Sequence, residues 1–482
     1  MICPICPSLP VYLVQVQPFS VHTMMDVDFE SDFRVKFHAP QLAPMHIPGW
    51  DYSSTPELVE FPGCVPDEDA LALTELLHRL HSATNPDDIE RHLRALALIW
   101  EDYYLPKFPV PFFQVRVADV RAAGGSLSTA LPLYDEVLHG ITGQNGAAFA
   151  QFVSTVRMLA QGDTEQQARS TGSLTFFQRW KPAREHANPF NWPMLPPASA
   201  DILAAWRTSP YQRQYLNYIW IKAHYLEGTF HLTGESSDAL THWGFAPHLV
   251  RCDARSDLKD SEAIVQALID LEDAFSATIP CHERPELLTP GLVQVVHAKL
   301  MRTSKVKIND PMVGGVHYIN AGFTRQTTQK SVVRRSQQYN LAFCPAERVD
   351  QQLEYICRMG KVSGRLFAGL CVALCDDWGT DGMVQQYIAR WRNPFATAAW
   401  LHVTFVRCHP FDDGNGRMSL LISSIPLMRH GFPPLCITPS LRSVYYDALN
   451  IAWEGDFQPL INCFVDSMNN SLEEVQRIMG AA

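Results

Sequence analysis

No run of the 482-residue chain is apolar for the length of a membrane span, about 20 residues. The longest, LFAGLCVALC (366–375), is half that length and runs into Asp376 and Asp377, so it reads as a buried core helix. No run of five basic residues occurs and the net charge is −11, which argues against nucleic acid as the main partner. Metal-ligand spacings are equally scarce. There is no His-Glu-x-x-His, and the CxxC of Cys3 and Cys6 has no second pair nearby. The twelve cysteines follow no disulfide framework and read as reduced thiols, which places the protein in the cytoplasm or nucleus. Cys371 and Cys375, one turn apart in the apolar run, read as packing. The amino-terminal MICPICPSLPVYLVQVQ lacks the basic start of a signal peptide.

What is present is an ordinary globular composition, 46% hydrophobic and 18% charged, in a chain long enough for two or three domains. Residues 1–45 are irregular. Residues 46–180 form a helical accessory region without a chemical motif. In it, ALALTELLHRLHS (70–82) places Leu71, Leu73, Leu76, Leu77 and Leu80 near one helix face. IERHLRALALIWEDYYL (89–105) continues in the same way after a turn at Asn85 to Asp88. Residues 181–201 carry five prolines and read as a linker.

Residues 202–482 are again helical. The stretch 209–228 is a helix closed by Gly228, 286–302 contains another, and 346–359 is amphipathic. The stretch 393–408 is apolar nearly all round and reads as the central buried helix, with His402 a satisfied core histidine. Between 323 and 344 the period changes to two: Val332 and Val333 precede a polar turn, and Tyr339, Leu341 and Phe343 alternate, which predicts a β-hairpin. The expected fold class is therefore all-α with one small hairpin.

The chemistry concentrates in His-Pro-Phe-Asp-Asp-Gly-Asn-Gly-Arg, residues 409–417. Gly414, Asn415 and Gly416 can turn their N–H groups toward one point, ahead of a helix-like 418–429. Such a turn suits phosphate, and Arg417 adds a fixed positive fork. Asp413 can hold Mg²⁺ against the same phosphates, and His409 can act as general base. Phe411 reads as the anchor that packs the loop, and Asp412 receives no role. The plainer alternative is a loop whose His and Asp only cap helices.

The stretch resembles the signature of the Fic domain, His-x-Phe-x-(Asp/Glu)-Gly-Asn-Gly-Arg-x-x-Arg. The match holds from His409 to Arg417, and Leu420 stands where the family has its second arginine. The resemblance spans about 211–470, including 393–408 before the motif and 441–460 after it. It implies transfer of AMP from ATP to a hydroxyl of a target protein, with Mg²⁺ at Asp413. It implies a flap at 331–344 that docks the target by strand addition, with Arg325 just ahead of it. Tyr446 matches an aromatic residue that lines the adenine pocket. Trp453, where the family is often polar, could stack on a base or fill the pocket.

HYLEGTFHLT (224–233) resembles the family's inhibitory segment, with Glu227 and Gly228 in place and Ala223 in place of a hydroxyl residue. The implied role of Glu227 is to exclude the γ-phosphate while paired with the second arginine. With Leu420 that pair cannot form. The brake is loosened, and the γ-phosphate also loses a positive partner. A like-charge contact at about 4 Å would cost on the order of 4 kcal/mol at a dielectric near 20, so weak basal activity with ATP is expected. Two other readings stay open: a Fic relative with another donor nucleotide, and a nucleotide-binding pseudoenzyme.

Overall fold

The computed structural model describes residues 65–82, 86–140, 143–172, 176–186, 195–196, 198–256, 258–308, 316–335, 340–361 and 393–480. The segment 1–45, the Cys3 and Cys6 pair, the apolar run 366–375 with its two cysteines, and Tyr339 lie outside them.

The accessory region is helical, as expected. Helix α1 (Asp67–Ser82) packs on α2 (Pro86–Leu98), which continues through a π-helical turn at Ile99–Tyr104. Helices α3 (Pro111–Ala123), α4 (Leu127–Gly140) and α5 (Gly143–Gly172) follow. On α1, Leu73 is buried but Leu71 is 56% exposed, against the expectation that both share one face. Two positions along a helix differ by about 200°, so one of the pair must face water.

The accessory region has two small cores. One runs through α3, α4 and α5 and includes Ala118, Tyr134, Phe149 and Val153. The other gathers Trp100, Tyr104, Phe112 and Phe113, and Val306 and Tyr318 enter it from the second half of the chain. Gly124, just past α3, lies so close to Tyr318 that an added Cβ would collide with the tyrosine's Cβ and backbone. The two halves of the chain therefore share one apolar core.

The second half begins with α6 (Ser199–Thr208), α7 (Gln212–Glu227), α8 (Gly234–Trp243), α9 (Ser261–Thr278) and α10 (Pro290–Leu300). Side-chain caps set the starts of the last three: Thr233 accepts from Ser236 N–H, Asp260 from Glu262 and Ala263 N–H, and Thr289 from Leu292 N–H ahead of Pro290. Gly228 ends α7 at φ 73°, as expected.

Two antiparallel hairpins follow: β1 (Val306–Ile308) with β2 (Val316–Tyr318), then β3 (Val333–Arg335) with β4 (Asn340–Ala342). The second is the expected one, in register Val333 with Ala342. The first is an addition to the one hairpin expected.

The last helices are α11 (Val349–Lys361), α12 (Pro394–Cys408), α13 (Asn415–Arg429), α14 (Arg442–Trp453) and α15 (Gln458–Gly480). Helix α12 is buried nearly all round, as its sequence predicts, and packs on α13. His402 is the expected core histidine, bonded to Tyr445 Oη at 2.7 Å and Ser423 Oγ at 3.2 Å. In the proline-rich stretch, residues 181–186 pack on this core rather than spanning open space. Ala183 is buried and donates its N–H to Gln352 at 3.0 Å, and the His186 ring lies 4.2 Å from that of Trp453.

Candidate active site

The loop from His409 to Arg417 joins α12 to α13. Helix α12 stops because His409 takes a left-handed conformation, φ 48° and ψ 60°, which is uncommon outside glycine. Arg325 holds that end in place. Its Nε donates to His409 O at 2.6 Å, Nη2 to Cys344 O at 2.6 Å and Cys408 O at 3.1 Å, and Nη1 to Lys330 O at 3.0 Å. Its backbone N–H donates to Pro410 O at 2.7 Å. A buried guanidinium at a helix C-terminus both satisfies end carbonyls and opposes the negative end of the dipole.

His409 Nδ1 lies 3.2 Å from Val406 O. A carbonyl only accepts, so the proton sits on Nδ1 and Nε2 keeps its lone pair. Burial, then the charge of Arg325, lowers its pKa to about 3. The ring of Phe343, directly after β4, lies 4.2 Å from that of His409.

Phe411 is fully buried, the anchor that the sequence suggests. Its partner is a residue the sequence reading passed over. His297 of α10 stacks on it with ring centroids 3.7 Å apart and planes 1° from parallel. His297 accepts from Gly322 N–H at Nδ1 (2.9 Å) and donates from Nε2 to Asp413 O (3.0 Å). One neutral tautomer satisfies both bonds, in keeping with a pKa lowered by burial to about 4. A polar residue on an apolar helix face was the only signal.

Asn415 braces the loop from inside. Its Oδ1 accepts from Phe411 N–H at 3.0 Å and its Nδ2 donates to Phe411 O at 2.8 Å. A ligand role for Asn415 therefore falls to its backbone N–H alone. Gly414 caps α13 at φ 74°, and its N–H is donated to Asp413 Oδ1 at 2.7 Å. That donor is already engaged, which narrows the expected three-residue cradle to the first N–H groups of α13. Helix geometry gives those groups no carbonyl partner within the helix.

Asp412, left without a role by the sequence, is buried and accepts three bonds: from Thr328 Oγ1 (2.7 Å), Asn320 Nδ2 (2.8 Å) and Lys330 Nζ (3.0 Å). Burial pushes its carboxyl up, but Lys330 and these donors outweigh it and the net shift is downward.

Arg417 is 2% exposed, and Nη2 lies 3.3 Å from Met301 Sδ. Its Nε and Nη1 have no hydrogen-bond partner among the described residues. An unpaired buried guanidinium is costly, and an anion at this position would offset the cost. Glu227, at the end of α7, reaches the same place: a Cβ added to Gly416 would fall on its carboxylate. Glu227 and the motif are thus in contact across 189 residues of sequence (416 − 227). Leu420 is buried in the main core.

Asp413 is partly exposed, and no cluster of three or more His, Cys, Asp or Glu occurs among the described residues. A lone carboxylate fits a Mg²⁺ ion that arrives with phosphate oxygens, not a metal held by protein ligands alone.

Tyr446 stands on another element, half-buried on α14, with Tyr445 beside it and the Arg442 guanidinium 5.9 Å over its ring. Trp453 is fully buried. Its Nε1 donates to Arg179 O at 3.2 Å, and Arg407 and Lys181 lie 4.9 and 5.5 Å from its ring centre. The ring is thus part of the core.

The hairpin β3–β4 sits where the flap is expected. Its β4 edge is taken by the chain itself: Phe177 N–H donates to Asn340 O (3.0 Å) and Ala342 N–H to Gln178 O (3.2 Å).

Residues 287–427 match the model of the Fic/DOC family. Over 103 residues the chain is 38% identical to a protein adenylyltransferase Fic of Drosophila persimilis, a match covering 20% of each chain. Over 81 residues it is 42% identical to the protein of that name in Aedes aegypti, covering 17% of this chain and 16% of the other. The match thus spans about a fifth of these curated relatives. Among solved structures, Fic-1 of C. elegans is 18% identical with TM-score 0.35, covering 86% of this chain and 99% of that one. A Fic-domain signaling protein of Bacteroides thetaiotaomicron is 17% identical with TM-score 0.40, covering 59% and 97%. The family match and the motif near its end identify residues 287–427 as a Fic/DOC-family segment.

Proposed function

We propose that the 409–417 loop transfers AMP from ATP to a hydroxyl side chain of a target protein, with Glu227 as an autoinhibitory residue. The observation that carries this reading is Arg417, a buried guanidinium at the start of α13 whose Nε and Nη1 have no hydrogen-bond partner among the described residues. Phosphate is the anion that this pairing of a helix N-terminus with a planar cation suits best.

In the reaction, the target's hydroxyl oxygen attacks the α-phosphorus and its proton passes to His409 Nε2. The bond from the α-phosphorus to the bridging oxygen breaks, and pyrophosphate leaves. Arg417 and the first N–H groups of α13 stabilise the charge that grows on phosphate, where losing one such donor commonly costs about 3 kcal/mol of barrier. Asp413 would hold Mg²⁺ together with phosphate oxygens, and the bound ion would neutralise part of their charge.

Tyr446 would line the adenine pocket. The flap 331–344 would dock the target, and with β4 already paired to residues 177–178 the edge offered is that of β3. The contact between Phe343 and His409 supports this placement, since it sets the end of the flap beside the base. Residues 46–180 serve as an accessory region to a catalytic domain over 202–482. The buried free thiols Cys281, Cys344, Cys357, Cys408, Cys436 and Cys463 suit a reducing compartment, the cytoplasm or nucleus.

The test is covalent label from α-labelled ATP with Mg²⁺, compared for wild type, Glu227→Gly and His409→Ala. Label on Glu227→Gly that disappears with His409→Ala supports the reading. Label that survives His409→Ala overturns it. A second reading, another donor nucleotide, is favoured by Leu420, whose apolar side chain gives a γ-phosphate no partner. Label from a different nucleotide but not from ATP would select it, with Leu420→Arg restoring use of ATP.

A further inference from the structure

Asp412 is the one charged residue of the motif that the transfer chemistry leaves unused, yet its side chain is 1% exposed. Its three donors all come from the loop at 320–330. That loop is in turn gripped by the accessory region, nearly two hundred residues away in sequence. Thr129 Oγ1 donates to Asn320 Oδ1 at 2.7 Å, and Asn320 Nδ2 donates to Ser126 Oγ. Ser128 Oγ donates to Thr328 O at 2.9 Å. Three hydroxyl residues at the start of α4 therefore hold the two residues, Asn320 and Thr328, that hold Asp412.

The hydroxyls are fixed from behind. Arg121 Nη1 donates to Thr129 O at 3.1 Å, and Ser126 N–H donates to Arg121 O at 2.7 Å. Arg121 pairs with Glu101, which also accepts from Tyr318 Oη. Lys305 reaches Asp102 at 2.6 Å and Glu101 at 3.4 Å. Tyr318 belongs to β2, two residues before Asn320. The chain of contacts is continuous from the accessory core to the motif, and its central members Arg121, Ser126, Thr129, Tyr318 and Asn320 are buried.

We propose that Asn320 and Asp412 are positioning residues through which the accessory region holds the catalytic loop in its working geometry. A buried network of this kind has one low-energy arrangement, since any shift leaves a desolvated donor or carboxylate unpaired. Asp412 is three residues from His409 and one from Asp413, so a fixed Asp412 carboxylate fixes both neighbours. The accessory region thereby becomes part of the catalytic apparatus rather than a cover. In its catalytic half the proposal rests on the reading of 409–417 as a transfer site.

The test uses the full chain and four forms: wild type, Asn320→Ala, Thr129→Val and Thr129→Ser. Amide hydrogen exchange is read for 410–418 and, as a control, for α15. The expected result is exchange at 410–418 about fivefold faster in Asn320→Ala and Thr129→Val, with Thr129→Ser at the wild-type rate and α15 unchanged. Unchanged exchange at 410–418 overturns the proposal, as does an equal rise in α15, which would mark general loosening.

Where wild type transfers label, the kcat of Asn320→Ala should fall about tenfold with KM for ATP within about twofold. An unchanged kcat overturns the catalytic half. No label on either wild type or Glu227→Gly would instead sink the reading of AMP transfer from ATP, and the exchange result would still decide whether the accessory region holds the loop.

Discussion

The carboxylate of Glu227 occupies the space that a Cβ on residue 416 would need, so Gly416 and Glu227 fit together only because Gly416 has no side chain. Glu227 is otherwise exposed, and water screens part of its charge. Its effect on an incoming phosphate is therefore as much occupation of space as repulsion.

This contact predicts a coupled pair of substitutions. Gly416→Ala alone should cost about 1–3 kcal/mol of stability through overlap with the carboxylate. In a Glu227→Gly background most of that cost should vanish. Denaturant midpoints of the four forms measure it, and an undiminished cost in the double variant would place Glu227 elsewhere in solution.

Glu227→Gly should also raise AMP labelling by roughly tenfold or more over wild type, the order of one removed like-charge contact after screening. Labelling that stays level would mean that the missing arginine at position 420, not Glu227, limits the reaction.

The burial of His409 makes a statement about pH. With its pKa lowered to about 3, first by desolvation and then by Arg325, the imidazole is neutral throughout the physiological range. The rate of transfer should therefore show no acid limb near pH 6.5, and should fall only as the pH approaches the lowered value. A limb between pH 6 and 7 that tracks His409 would contradict this placement of the ring.

Glu101 gives the acid dependence of stability. Burial pushes its carboxyl up, but Arg121, Lys305 and the Tyr318 hydroxyl outweigh it and hold it at about 2, below its ordinary 4.5. A carboxyl depressed on folding stabilises fully above its unfolded pKa, and that contribution is lost as the pH falls toward the folded value. On the order of 3 kcal/mol should go between pH 4.5 and 2. Glu101→Gln should flatten the acid side of the stability curve, and an unaltered curve would count against the pairing.

His297→Ala should remove the stacking partner of Phe411 and the donor to Asp413 O together, at a cost of about 3 kcal/mol. His297→Asn should recover the bond to the loop in part but not the stack. Thermal midpoints and labelling rates of the two variants separate these contributions.

Much of the site was legible because its order is local. His409 to Arg417 declares a glycine-rich turn ahead of a helix through residue types alone, and α12 declares its burial through an unbroken apolar surface. The hairpin β3–β4 shows in a change of period. The bracing of the loop was not legible, because the braces come from elsewhere in sequence: His297 under Phe411, Arg325 on the carbonyl of His409, and Asn320 on Asp412. Each looks unremarkable in its own stretch, where no periodicity marks a polar side chain that will meet its partner in the loop 84 to 116 residues away.

The sequence by itself determined the helices, the turn, the chemistry of its groups and the loss of the second arginine, since these depend on near neighbours and residue identity. The tertiary structure decided which polar groups find a partner and which do not. It turned Asn415 inward and Trp453 into the core, left two nitrogens of Arg417 without a hydrogen-bond partner among the described residues, and brought Glu227 onto Gly416. Those outcomes depend on what packs against each side chain, and desolvation makes the packing decisive: a buried polar atom must find a partner, and only the folded chain supplies or withholds it.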